Sequence, residues 1–264
     1  FFPNYFFNLL FILMNNNFAL LVLFTAIVIA IFKIVYDLKN PMTVRSYVET
    51  TYIYIILAIL LVCVTILIID KYNLISYSTL SGWKYLAIFI LLIIIIIALS
   101  LIDKKKYVLR HILWLAFVVG IGIILYPYFE YSQYSGILWK SIITVIIIIL
   151  GLTFVASRVP HDYFNSWGPY LSMGLIALIV FGILTWIFGR TNTLMQNVFA
   201  FLVVILFSGY VLYDTKRIYQ AAEYSNVACK DVFNKLLCTD FPGQSLSLFI
   251  DIVNIFTAVS NLYS

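Results

Sequence analysis

Two acids sit in apolar surroundings, where a carboxylate is costly. Asp214 lies in the run GYVLYDTKRIYQAAE and Asp251 in SLSLFIDIVNIF. An ionised group in bilayer hydrocarbon needs a partner, a wet cavity or a route to the interface. Around Asp251, the residues Ser247, Asn254, Ala258 and Asn261 recur at steps of three and four. That spacing aligns them on one helix face, and such a polar stripe turns towards a bundle interior or water. The other face, with Leu248, Phe249, Ile252 and Phe256, is expected to meet lipid or packed helices. Should Asp214 approach Asp251 within about 4–6 Å, both cannot easily ionise. The pair would then share a proton or take a hard cation through its oxygens, which is chemistry suited to pH-gated permeation.

The elements that must position these acids are membrane spans. Of the 264 residues, 64% are hydrophobic and 10% charged, against about half and about a quarter in an ordinary soluble domain. A water-soluble core cannot hide that much apolar surface. Eight apolar segments are predicted, near 18–36, 50–69, 85–102, 111–128, 137–157, 169–188, 197–215 and 245–262. Each is close to the roughly 20 residues that span a bilayer as a helix. Backbone groups in lipid must bond internally, so an all-α polytopic membrane protein is expected.

Basic residues set the orientation. Lys33, Lys39, Arg45, Lys104, Lys105, Lys106, Arg110, Arg158, Lys216, Arg217, Lys230 and Lys235 follow the odd-numbered segments, and Lys71, Lys84, Lys140 and Arg190 lie on the other side. The positive-inside rule places the first set in the cytoplasm and both chain ends on the opposite side. Asp214 and Asp251 then enter the membrane from the same face, Asp214 at the end of its segment and Asp251 about two turns into its own. A cytoplasmic loop over 217–244 is expected between them, with Cys229 and Cys238 as reduced thiols. The opening residues show neither the basic region nor the cleavage site of a secretory signal.

Other constellations offer less. Asp37, Asp70, Asp103, Glu130, Asp162, Glu223, Asp231 and Asp240 fall at segment ends or in loops, where solvation suffices. Glu49 is expected to pair with Arg45 at the interface. Cys63 reads as a small apolar residue within a span. His111 and His161 have no serine and acid to complete a hydrolytic set, and phosphate-loop and metalloprotease patterns are absent. Two intramembrane aspartates are also used by aspartyl proteases, but the Gly-rich second motif of those enzymes is missing. The charge of +5 belongs to short loops and indicates no nucleic-acid partner.

The two acidic runs resemble the last two helices of the transmembrane Bax inhibitor motif family. The matching residues are Gly209, Tyr213, Asp214, Thr215, Leu248, Phe249, Asp251, Asn254, Ile255 and Phe256. Weaker likeness runs through VRSYVETTYIY, HILWLAFVVGIGIILYP and ILGLTFVASRVPHDY, so that about 44–264 is covered. The resemblance implies a seven-helix membrane domain over 44–264, with 1–43 as an extension carrying an extra transmembrane helix. It also implies a pH-sensitive calcium leak that modulates cell death from an internal membrane such as the endoplasmic reticulum or Golgi. Asp214 and Asp251 would be the ion- and proton-binding pair and possible Ca2+ ligands, supported by Ser247, Asn254 and Thr215. No enzyme activity and no resident cofactor are expected, and the expected partners are lipid, Ca2+, protons and cell-death regulatory membrane proteins. Three departures stand out: the extra first helix, Ile121 and Gly122 where many members carry Glu, and a longer loop between the two motifs. The alternative reading is a non-conducting protein that suppresses apoptosis by binding other membrane proteins.

Overall fold

The computed structural model describes residues 17–39, 43–75, 83–160, 163–164, 166–188, 192–228 and 239–264. They form α1 (Asn17–Lys39), α2 (Val44–Tyr72), α3 (Trp83–Leu101), α4 (Tyr107–Tyr134), α5 (Leu138–Arg158), α6 (Trp167–Phe188), α7 (Thr193–Ala228) and α8 (Phe241–Tyr263). No strand occurs among the described residues. The helices α2 to α8 are seven elements long and apolar enough to cross a membrane. The chain is an integral multi-pass membrane protein, and α1 adds a shorter apolar stretch, Val22–Tyr36, before the seven.

The helix ends follow local chemistry. Thr43 and Ser46 form a reciprocal capping box at the start of α2, with Ser46 N–H donating to Thr43 Oγ1 at 3.1 Å and Thr43 N–H to Ser46 Oγ at 2.9 Å. These bonds satisfy backbone donors that the first helical turn leaves unpaired. Asn73 ends α2 in the left-handed region at φ 47°, a conformation Asn tolerates better than most residues.

Two compact units partition the chain: Phe1–Pro127 with Ala228–Gly243, and Tyr128–Val227 with Gln244–Ser264. In the first, Phe241 is 1% exposed and packs its ring on Tyr47 and Tyr54 of α2, at centroid distances of 4.8 and 5.7 Å. Lys33 of α1 stands 3.7 Å from Glu49 of α2, which also accepts from Arg45 Nε at 2.6 Å. The expected Arg45–Glu49 pair is therefore present and extends to the additional helix. In the second unit, α6 and α7 approach closely. A side chain at Gly209 would place its Cβ 2.9 Å from a Leu171 methyl, so the bare glycine permits the contact.

One expectation is corrected here. The loop expected over 217–244 is helical through Ala228, and α8 begins at Phe241. Residues 216–228 contain neither Gly nor Pro and include Lys, Arg, Gln, Ala and Glu, which propagate a helix beyond the hydrocarbon. At about 1.5 Å per residue, the 36 residues of α7 far exceed a bilayer core of about 30 Å. Asp214 is thus an interior helical residue with fourteen more behind it, not a terminal one. Of the face expected to meet lipid or packed helices, Leu248 and Phe249 are packed within the protein, at 0% and 1% exposed. Half of the spanning window of α8 is buried, so apolar packing holds this helix on more than its polar stripe.

Candidate functional site

Asp214 of α7 and Asp251 of α8 both belong to the second unit. They are 6% and 3% exposed, and their carboxyl groups stand within side-chain hydrogen-bonding reach of each other. Ionised carboxylates only accept hydrogen bonds, so a direct bond between them requires one proton on the pair. Asp251 Oδ2 is buried and has no hydrogen-bond partner among the described residues. The pair therefore retains an unused oxygen inside the protein.

Nearby cations compensate little of this charge. Arg217 Nη1 lies 3.7 Å from Asp214 Oδ1, and its side chain is 49% exposed. Its guanidinium also stands 5.8 Å from the Tyr213 ring centroid. A half-exposed pair at that separation contributes about 1 kcal/mol or less. Lys216 turns elsewhere, donating from Nζ to the Val159 carbonyl just beyond α5.

The other predicted residues contribute unequally. Thr215 is fully buried, and its Oγ1 has no partner among the described residues. Asn254 donates from Nδ2 to the Ile250 carbonyl at 2.9 Å, which commits its amide nitrogen to its own helix and leaves its carbonyl oxygen as the usable group. Ser247 is half-buried. Tyr210 was absent from the sequence-based set, yet it shares a side-chain hydrogen bond with Ser172 and feels the charge of both acids. The signal for it is its spacing: Tyr210 precedes Asp214 by four residues and so lies on the same helix face.

Tight calcium sites assemble about six to eight oxygen ligands. Among the described residues, no group of three or more His, Cys, Asp or Glu could hold a metal ion. Cys229, Cys238 and His161 lie outside the described residues. In the first unit His111 has both ring nitrogens engaged, with Tyr107 O and Tyr54 Oη at 2.7 Å each.

Asp240, for which a solvated position was expected, is largely shielded. Asp240, in the first unit, accepts from Arg110 Nη2 at 2.6 Å, and their side chains are only 12% and 6% exposed. Arg110 Nη1 also donates to the carbonyls of Leu99 and Ile102 at 2.7 Å each. Asp240 Oδ1 caps α8 by accepting from Gly243 N–H at 3.1 Å. The solvated role expected for Asp240 is corrected: spacing along the chain gave no sign that residues 130 positions apart would meet.

Relatives with related sequences are found in Arabidopsis thaliana. Protein LIFEGUARD 2 is 24% identical over 85% of this chain and 89% of its own length. Protein LIFEGUARD 3 is 31% identical over 54% of this chain, and Protein LIFEGUARD 4 is 27% identical over 56%. The chain spans about half the length of the latter two, 49% and 52%. Residues 44–264, from the start of α2 through both acids, match the model of the family described as inhibitor of apoptosis-promoting Bax1, and the chain belongs to that family.

Proposed function

We propose that the protein is a pH-sensitive calcium leak in an internal membrane, gated by Asp214 and Asp251, and that it acts through calcium homeostasis on cell death. The observation that carries this reading is the meeting of two buried carboxyl groups on spanning helices, one of them with an unpartnered oxygen. A shared proton joins the carboxyls. Its loss leaves two anions that repel each other or admit a cation between them. Calcium is the cargo, with Thr215, Asn254 and Ser247 as neutral oxygen donors near the acids. The reading includes no bond-breaking chemistry and no resident cofactor.

The test is calcium flux in liposomes containing the full chain, measured across a pH series. Wild type is expected to pass Ca2+ in a pH-dependent manner, and Asp214→Asn and Asp251→Asn each to flatten that dependence. Equal silence of all three proteins would overturn the leak reading.

The family description itself, inhibitor of apoptosis-promoting Bax1, favours a second reading. In this reading the chain conducts nothing and suppresses cell death by binding other membrane proteins. It predicts protection of cells that survives both Asp→Asn substitutions unchanged.

A further inference from the structure

Between α3 and α4 the chain reverses over residues 102–106, and three of these are lysines. Lys104, Lys105 and Lys106 are all exposed, and none forms an ion pair among the described residues. The turn is tightly constructed. Asp103 Oδ1 accepts from Lys105 N–H at 2.9 Å, and the Asp103 carbonyl accepts from Lys106 N–H at 3.0 Å. Beneath it, the Arg110 guanidinium grips the Leu99 and Ile102 carbonyls. Asp240 neutralises that buried cation within the protein, and against the three outward ammonium groups the turn sets only the Asp103 carboxylate, so a net positive charge remains.

Both flanking helices are membrane spans. Their ends, Leu101 and Tyr107, lie within three residues of Lys104 and one residue of Lys106. So short a turn cannot extend away from the bilayer, and the lysines stand within a Debye length, about 8 Å in physiological salt, of the headgroup plane. A surface lysine at that distance is attracted to anionic lipid. The geometry points to Lys104–Lys105–Lys106 as a docking site for anionic phospholipid headgroups of the cytoplasmic leaflet. Lipid is favoured over an acidic protein segment because headgroups already lie at this level, whereas a protein would have to displace them. The anchored backbone also favours binding, since the turn need not be ordered when lipid arrives.

The test is native mass spectrometry of the full chain from mixed micelles of phosphatidylcholine and phosphatidylserine, counting retained lipids of each kind. Wild type should retain phosphatidylserine in excess of its share, and raised salt should reduce that excess. Lys104→Gln/Lys105→Gln/Lys106→Gln should lose it, by up to about fivefold per lysine. The corresponding triple Arg variant keeps the charge and should retain the excess. Lys71→Gln/Lys84→Gln, on the opposite side, should leave it unchanged. Three outcomes would overturn the proposal: undiminished excess in the triple Gln variant, equal loss in the Lys71/Lys84 control, or no wild-type preference together with lysine-dependent capture of a poly-glutamate probe.

Discussion

The protein buries acids in two contrasting ways. In the first unit, Asp240 meets Arg110 at 2.6 Å and caps a helix, while the guanidinium holds two further carbonyls. Opposite charges and backbone groups engage one another there, although Arg110 Nε is buried without a hydrogen-bond partner among the described residues. In the second unit, Asp214 meets Asp251, a like partner, and one carboxylate oxygen is left unpartnered. Removing two ions from water is costly in either case. The first arrangement recovers that cost through attraction and hydrogen bonds, and its effect is structural. On the proposed reading, the second recovers it only while a proton is shared, and would respond to protons and cations. The two sites share burial and differ in the partner: an opposite charge in one, a like acid in the other.

Breaking the first arrangement should have the largest effect. Arg110→Met leaves the Asp240 carboxylate without its counter-ion and removes the guanidinium from the Leu99 and Ile102 carbonyls, at a cost of about 3–5 kcal/mol. A marked fall in Tm of the detergent-solubilised protein would register it. Asp214→Asn should act with the opposite sign, since it removes a like charge and retains a hydrogen-bonding group. Its Tm is expected to equal or exceed that of wild type, so a loss as large as that of Arg110→Met would erase the contrast. Gly243→Ala is intermediate. Its Cβ would stand 2.5 Å from Asp240 Oδ2, pushing the carboxylate off the helix terminus and costing about 1–2 kcal/mol, as loss of a helix cap does. Arg217→Gln should have the smallest effect, about 1 kcal/mol or less, because the guanidinium is half exposed and 3.7 Å from Asp214.

Proton competition sharpens the same contrast. A cation can use the Asp214–Asp251 oxygens only after the shared proton leaves, so calcium binding should weaken as pH falls. Titrating Ca2+ into the purified protein at several pH values would show this, and an affinity rising with acidity would count against it.

The spans were legible because hydrocarbon imposes a length and requires internal backbone bonding. The long apolar runs and the extra helix before Val44 were accordingly read correctly as helices. The polar extension of α7 was less legible: its residues look like a loop when a bilayer sets the boundary, yet they propagate a helix. The acid pair was approachable because its members lie in motifs with helical spacing, and the orientation count put them on one side. Arg110–Asp240 was not, because nothing local distinguishes a guanidinium that snorkels from one that folds inward to a residue 130 positions away. The burial of Leu248 and Phe249 was hidden for a related reason. Periodicity identifies a polar stripe, but an apolar face reads the same whether it meets lipid or protein.

The claim that the two acids work as one proton-sharing unit is tested most directly by infrared difference spectroscopy across a pH series. Wild type should show a protonated-carboxyl band that diminishes as pH rises, and Asp214→Asn and Asp251→Asn should each abolish it. A band left unaltered by one of the two substitutions would show that the acids titrate independently and would contradict the account.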